Sequence, residues 1–306
     1  MKRFFLMLSL LFCTVLSWTQ VVHDPDDVLY KDLDRWAVQG YVDSLPQLRP
    51  YPAQLVDKLL NQVIARGNSQ ARERAERYLA SVAAGARPVH VGLKGRVTGM
   101  DDDVTLDGAP TVDGVLRLED WLSASFYLGV NAALRRPGKE ITVPGIFNPY
   151  PDFIEDWADI GPFHIMQNWT SMAAVGTADL YFQSGLSRSS FGPFFDNGTV
   201  IGSQAGRTGH FSLAYHKERF SFTVAMLELT ATDDFGQGQF PDKHLIIHSL
   251  DVRLSPDFSL GFLESVVWGG RMEPLYLAPF NQYFAAQSMT GFDDNAIRSE
   301  EHTSEL

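Results

Sequence analysis

Cysteine is almost absent from this chain of 306 residues, which contains one, Cys13. Cys13 lies in an N-terminal apolar run that follows Lys2 and Arg3, and this pattern predicts an export signal peptide at residues 1–19. The run is too short to serve as a membrane anchor. The large residue Phe12 precedes Cys13, which disfavours a lipoprotein anchor. The exported chain is therefore expected to lack cysteine and to fold without disulfides.

Basic residues are also scarce. The chain has 25 Lys and Arg against 37 Asp and Glu, which gives a net charge of −12. Loss of the signal peptide removes two basic residues and lowers the net charge to −14. Such an acidic exported protein is a poor nucleic-acid partner, so we expect none. Apolar residues make up 45% of the sequence, which suffices for a folded core.

Three segments behind the signal show helical spacing, at residues 26–39, 53–66 and 70–84. In the second, Leu55, Leu59 and Val63 recur at i, i+4 and i+8. Ser69 is the predicted N-cap of the third helix, and Gly40 the predicted end of the first. Together they predict a periplasmic helical unit at residues 26–85. Its predicted core residues are Leu33, Trp36, Leu59 and Val63.

From residue 88 onward the hydrophobic period changes from that of a helix to that of a strand. In the hairpin at residues 211–229, the apolar Phe211, Leu213 and Tyr215 alternate with Ser212, Ala214 and His216. About eight strands follow this rule as far as residue 297, with no helical pattern between them. The sequence therefore predicts an antiparallel β domain at residues 88–297.

A second hairpin is predicted around a turn at residues 255–257. Its register pairs Asp251 with Gly261, Arg253 with Ser259, and His248 with Glu264. Glu264 interrupts an apolar row, where a carboxylate without a partner is costly. We expect a bulge to turn Glu264 towards the polar side.

The alternation has two architectural explanations. A soluble β-sandwich buries its apolar row, whereas a transmembrane barrel turns that row to lipid and encloses the polar one. Two observations favour the transmembrane barrel. The connections alternate between tight ones, at 217–219 and 255–257, and long ones, at 137–157 and 230–243. The strand lengths are near the ~9–11 residues of a tilted membrane strand. The predicted fold is an all-β transmembrane antiparallel barrel with a small N-terminal α-helical unit.

Motifs for catalysis and metal binding are weak. In "GLSRS", Ser189 replaces the last glycine of a nucleophile elbow, and a strand end is the favoured interpretation. In "HLIIH", His244 and His248 lie on a predicted strand, where four residues span about 13 Å. That distance is too long for one ion, so we expect two solvated histidines. No enzyme activity, metal or cofactor is predicted.

The order of the motifs resembles a known family. The helical unit, "SGLSRSSFGP" with its Gly/Ser-rich continuation, and "ESVVWGG…YLAPFNQYF…DDNA" are similar to the Wzi-type capsule assembly proteins over most of residues 26–297. The resemblance implies a bacterial outer-membrane barrel, here partial, with periplasmic helices that attaches capsular polysaccharide to the cell surface. Phe191 stands where a Trp is expected before Gly-Pro. The tail at 298–306 resembles translated sequencing adapter.

The predicted function is therefore non-enzymatic binding or anchoring of surface polysaccharide by a monomer in contact with outer-membrane lipid. The predicted glycan-binding residues are Arg188, Asn197, Glu264 and Arg271, with Glu264 holding an arginine in place. The alternatives are a porin-like channel and a secreted soluble β-sandwich, either a glycan-binding protein or a glycosidase.

Overall fold

The computed structural model describes most of the chain behind the predicted signal peptide. The described residues are 25–84, 90–100, 103–118, 121–134, 157–160, 163–192, 200–202, 205–229, 243–255, 258–269, 273–278, 283, 288–289 and 295–304. The predicted signal peptide at 1–19 lies outside them.

Three helices precede the sheet: α1 (Val28–Val38), α2 (Ala53–Arg66) and α3 (Ser69–Ala84). Asp27 caps α1 by accepting a hydrogen bond from the backbone N–H of Leu29 at 2.8 Å. Gly40, at φ 74°, follows the end of α1 as predicted. The predicted cap of α3 is wrong by one residue, because the Asn68 side chain accepts the bond from Ala71 N–H at 2.9 Å.

The four predicted core residues of the helices are confirmed. Leu33, Trp36, Leu59 and Val63 are buried and belong to one hydrophobic cluster. The same cluster includes Tyr181 and Ala214, which lie on strands of the sheet. The core of the helical unit is therefore continuous with one face of the sheet.

The sheet region begins after α3, except for one short strand between α1 and α2. The strands are β1 (Leu48–Arg49), β2 (His90–Met100), β3 (Asp103–Leu118), β4 (Leu122–Leu134), β5 (Trp157–Ile160), β6 (Phe163–Gly176), β7 (Leu180–Ser187), β8 (Ser190–Phe191), β9 (Thr208–Lys217), β10 (Phe220–Leu229), β11 (Lys243–Ser255), β12 (Phe258–Gly269) and β13 (Asn295–Ser304). A short 3₁₀ helix, Pro274–Leu277, follows β12.

The strands form a large antiparallel sheet of eleven strands in the order β13-β12-β11-β10-β9-β7-β6-β4-β3-β2, with β5 beside β6. A second sheet pairs β1 with β8. The predicted β-rich antiparallel fold with few helices is thus confirmed. Within the described residues the large sheet is open, with β2 and β13 at its edges. β13 runs through the boundary placed at 297 from the sequence.

The three predicted pairs of the second hairpin are confirmed, but both hairpin turns are shorter than predicted. Strands β9 and β10 pair Lys217 with Phe220, so their turn has two residues rather than three. Strands β11 and β12 give the predicted pairs Asp251 with Gly261, Arg253 with Ser259, and His248 with Glu264. The bulge expected near Glu264 is wrong, because the register shifts only between Arg253 and Ser255. Glu264 therefore remains in its apolar row.

The two ends of the sheet differ in the length of their connections. Because the strands are antiparallel, the short links at 119–121, 177–179, 218–219 and 256–257 lie at one end, called here the tight-turn end. The strand ends that flank residues 135–156, 188–207, 230–242 and 270–294 lie at the other end, called the long-connection end. The two-residue links 101–102 and 161–162 also lie at that other end.

Among the described residues, no helix has the length and apolar character needed to cross a membrane.

Candidate functional site

On strand β9 the polar row is buried and the apolar row is exposed. In β9, the polar-row residues His210, Ser212 and His216 are 1–3% exposed. The apolar-row residues Phe211 and Leu213 are 41% and 38% exposed. The helices lie on the polar row, and we call that side the helix-covered face and the other the apolar face.

Contacts from the helical unit fix this arrangement. The Ser123 hydroxyl donates to Gln54 Oε1 on α2 at 2.9 Å, and Gln183 Nε2 donates to the Pro50 carbonyl at 2.9 Å. Buried polar residues extend over seven strands of the helix-covered face. They are Ser123, Ser125, Thr170, Gln183, His210, Ser212, His216, Ser221, Thr223, Ser249 and Ser265.

Several of these buried hydroxyls have no protein partner within the described part of the chain, among them those of Thr170, Ser221, Thr223 and Ser249. Buried polar atoms in proteins are generally hydrogen-bonded to protein groups or to ordered water. We therefore expect ordered water at these hydroxyls.

Arg188 lies at the long-connection end, between β7 and β8, and is 7% exposed. Its Nη2 is 3.6 Å from Asp26 Oδ2, and its Nε donates to the Ala205 carbonyl at 3.4 Å. Asp26 precedes α1, so Arg188 links the start of the helical unit to the connection that follows β7.

Next to Arg188, a buried hydrogen-bond chain joins Ser189, His210 and Ser212. Ser189 Oγ is 2.9 Å from His210 Nδ1, and His210 Nε2 is 2.9 Å from Ser212 Oγ. Ser189 lies two residues beyond Ser187, the last residue of β7, as the strand-end interpretation predicted. A nucleophile triad needs a carboxylate on the second imidazole nitrogen, where Ser212 stands. The sequence analysis missed this chain, although the β9 alternation places His210 in the polar row.

Glu264 lies on the apolar face, in a row with Val266 and Trp268. Its Oε1 accepts a hydrogen bond from the Tyr283 backbone N–H at 2.9 Å. Arg188 pairs instead with Asp26, in the segment before α1. Glu264 is held by the segment that follows β12.

The same segment covers His248, one of the two histidines that were expected to be solvated. His248 is 6% exposed, so its predicted solvation is wrong. Tyr283 covers it with a ring-centroid distance of 4.7 Å, and Tyr276 packs edge-on against Tyr283 at 5.5 Å. Residues 273–278 and Tyr283 therefore cover the apolar face over β10 to β12, and leave it exposed on β6, β7 and β9.

The other two predicted site residues, Asn197 and Arg271, lie outside the described residues. In the part of the chain that is described, no group of three or more His, Cys, Asp or Glu side chains has the geometry of a metal site.

A cleft of about 620 Å³ opens at the tight-turn end between α2 and the turns of β6–β7 and β9–β10. We call it the tight-turn cleft. Asp179 in its wall is 2.7 Å from Lys58 Nζ and also pairs with Lys217 Nζ. Hydrogen bonds from Lys217 and Lys58 hold the pKa of Asp179 below its ordinary value of 3.8. Sequence patterns could not pair these residues, because they lie on three separate elements.

The lowered pKa of Asp179 predicts that the contact between the helices and the sheet weakens in acid. Its folded-state pKa is lowered, so its stabilisation is present above pH 3.8 and is lost as the pH falls through the folded-state pKa. We expect the melting temperature of the wild type to fall more steeply below pH 4 than that of Asp179→Asn. Glu73→Gln, on exposed α3, is the control and should keep the wild-type slope. Equal slopes for wild type and Asp179→Asn would contradict this role.

Comparison with known proteins gave no match: no family model, no curated protein and no solved structure is similar to this chain.

Proposed function

We propose that this chain is an outer-membrane β-barrel protein that binds or anchors surface polysaccharide without catalysis. The observation that carries the proposal is the burial of the polar row of β9 under the helices while its apolar row is exposed. A soluble sandwich requires the opposite burial. In lipid, an apolar outer row and a polar enclosed row are the stable arrangement.

The exposed apolar side chains form a continuous band over three neighbouring strands. They are Trp169 and Val175 on β6, Leu180 on β7, and Phe211, Leu213 and Tyr215 on β9, each 38–50% exposed. An apolar area of this extent on a soluble monomer marks an interaction surface. Because these side chains recur regularly along the strands, we favour lipid as the partner of this surface. A lipid-facing surface favours the barrel over the soluble β-sandwich alternative.

The orientation follows from the connections. Outer-membrane barrels have short turns on the periplasmic side and long loops outside. The helical unit reaches the tight-turn end, where Ser44 Oγ donates to the Lys217 carbonyl at 3.2 Å and Lys58 pairs with Asp179. The helical unit also contacts the long-connection end, through Asp26 and Arg188. We therefore place the tight-turn end on the periplasmic side and polysaccharide binding at the long-connection end.

Binding is favoured over a porin-like channel because the helical unit occupies the polar face. Gln54 contacts Ser123 on β4, Pro50 contacts Gln183 on β7, and Tyr181 is fully packed into the helical core. An open channel requires this face to line a continuous aqueous path. A face covered by helices suits an anchoring protein.

The predicted site residues divide into two roles in this proposal. Asn197 and Arg271 belong to long connections and are assigned to the glycan. Arg188 is buried against Asp26 and positions the connection that follows β7. We expect Asn197→Ala/Arg271→Ala to shed capsule from cells and to keep the wild-type melting temperature, whereas Arg188→Ala lowers the melting temperature.

Capsule retention and melting temperature are measured on the same set of variants. Arg77→Ala, an exposed residue of α3, is the control that should change neither. Full capsule retention by the Asn197→Ala/Arg271→Ala variant, or a loss that only follows its melting temperature, would remove these two residues from the site.

A further inference from the structure

The tight-turn cleft carries positive charge in an acidic protein. Lys58, Lys217 and Arg219 line it together with Asp179 and Glu218, which leaves one net positive charge. The whole chain has a net charge of −12. The volume of the cleft, about 620 Å³, falls within the roughly 300–1,000 Å³ of small-ligand sites. The cleft therefore has the size and local charge to hold a ligand with an isolated anionic group.

Two of the three cations are already neutralised in part. Asp179 lies between Lys58 and Lys217 and accepts hydrogen bonds from both. Arg219 is exposed, and no ion pair to its guanidinium is present among the described residues. Its backbone is fixed, because its carbonyl accepts a hydrogen bond from Arg253 N–H at 2.9 Å. Arg219 is thus the cation available to an anion in the cleft, and a guanidinium binds a carboxylate with two parallel hydrogen bonds.

The other lining groups suit a polyhydroxylated ligand. Thr177 offers a hydroxyl that can donate to a ligand, whereas the Gln62 amide already exchanges hydrogen bonds with Asp43. Phe220 also borders the cleft, but its ring packs against Tyr215 on the apolar face at a ring-centroid distance of 5.8 Å. Glu218 and Asp179 oppose a ligand with an anionic charge on every unit. A saccharide with widely spaced carboxylates fits this mixture.

We propose that the tight-turn cleft binds a carboxylate-bearing saccharide and that Arg219 holds the carboxylate. This is a second saccharide site, at the end of the sheet opposite the polysaccharide-binding end. The inference rests on the proposed function for its ligand class. In the proposed orientation the cleft opens on the periplasmic side, so its ligand is either capsular polysaccharide before it reaches the surface or a cell-wall glycan.

The test uses the full chain purified in detergent and a hyaluronan hexasaccharide, which has one carboxylate per disaccharide. The neutral control ligand is N-acetylchitohexaose, with the same number of rings. Arg219→Gln removes the charge and leaves the Lys58–Asp179–Lys217 cluster in place. Arg77→Gln, on α3, is the charge-matched control. We expect Arg219→Gln to weaken hyaluronan binding about tenfold or more in Kd, as for one charge-assisted hydrogen bond, and Arg77→Gln to leave it unchanged.

Equal binding of hyaluronan by wild type and Arg219→Gln, or equal binding of both saccharides by the wild type, would overturn the proposal. Two further arms measure binding to purified capsular polysaccharide and to purified cell-wall sacculi. The natural ligand is the polymer whose binding is lowered by Arg219→Gln. If Arg219→Gln lowers the binding of neither polymer, the proposal is overturned. Capsule retention by cells depends on the opposite end of the sheet, so failure of this cleft is distinguishable from failure of the proposed function.

Discussion

Arg49→Met is expected to lower the free energy of unfolding by about 3–5 kcal/mol. Arg49 and Asp34 form an ion pair whose side chains are 9% and 10% exposed. The Arg49 guanidinium also lies 5.2 Å from the centre of the Tyr30 ring. Methionine keeps the length and apolar stem of the side chain, but leaves the Asp34 carboxylate without its cation. A buried charge that loses its counter-ion is among the most destabilising defects in a protein.

The matched control restores the balance of charge. In Asp34→Leu/Arg49→Met both charges are replaced by apolar groups, and such exchanges are often neutral. Guanidinium unfolding of the three proteins in detergent should therefore give a large loss for Arg49→Met and recovery of most of it in the double variant. A single variant as stable as the wild type would show that the pair does not hold the helical unit together.

Leu213→Arg is expected to prevent assembly of the chain into the outer membrane. Leu213 lies in the middle of β9 on the apolar face and is 38% exposed, so an arginine there would not disrupt a packed core. In water the change would be harmless, because a charge at an exposed position is solvated. At the midplane of a bilayer an arginine on the lipid side of a strand costs about 2–4 kcal/mol.

Two control variants separate the membrane effect from other causes. Leu213→Ala removes the side chain without adding a charge, and should assemble. Leu254→Arg introduces the same charge at an exposed position near the tight-turn end, where the cost falls to about 0–1 kcal/mol. Assembly is read from the membrane fraction and from heat-modifiable migration. Normal assembly of Leu213→Arg would contradict a lipid-facing β9.

Local sequence patterns were sufficient to predict the bounds and pairing of elements that are defined by their own residues. The bounds of α2 and the pairing of Asp251 with Gly261 were predicted correctly, because a hydrophobic period and a tight turn define each of them. Alternation alone could not say which row of β9 is buried, since both architectures produce the same period. The helices decide it, through contacts such as that of Gln54 with Ser123.

Contacts between segments that are distant in the chain could not be predicted from the sequence. Lys58 and Asp179 are separated by 121 positions, and no local pattern relates them. Glu264 was expected to turn to the polar side because a carboxylate is costly in an apolar row. It stays in that row because the segment after β12 returns and supplies the Tyr283 N–H. The burial of His248 has the same cause, so one returning segment explains both wrong predictions.

The most direct test of the central claim measures which solvent surrounds the apolar row of β9. Because Cys13 is expected to leave with the signal peptide, single cysteines can be introduced by Phe211→Cys, Leu213→Cys and Tyr215→Cys and spin-labelled in bilayers, with Arg77→Cys as the aqueous control. Collision rates with oxygen, which partitions into lipid, and with a water-soluble nickel complex are then compared. The account predicts high oxygen and low nickel accessibility at all three β9 positions, with the strongest contrast at 213. Nickel accessibility at 213 equal to that at 77 would contradict it.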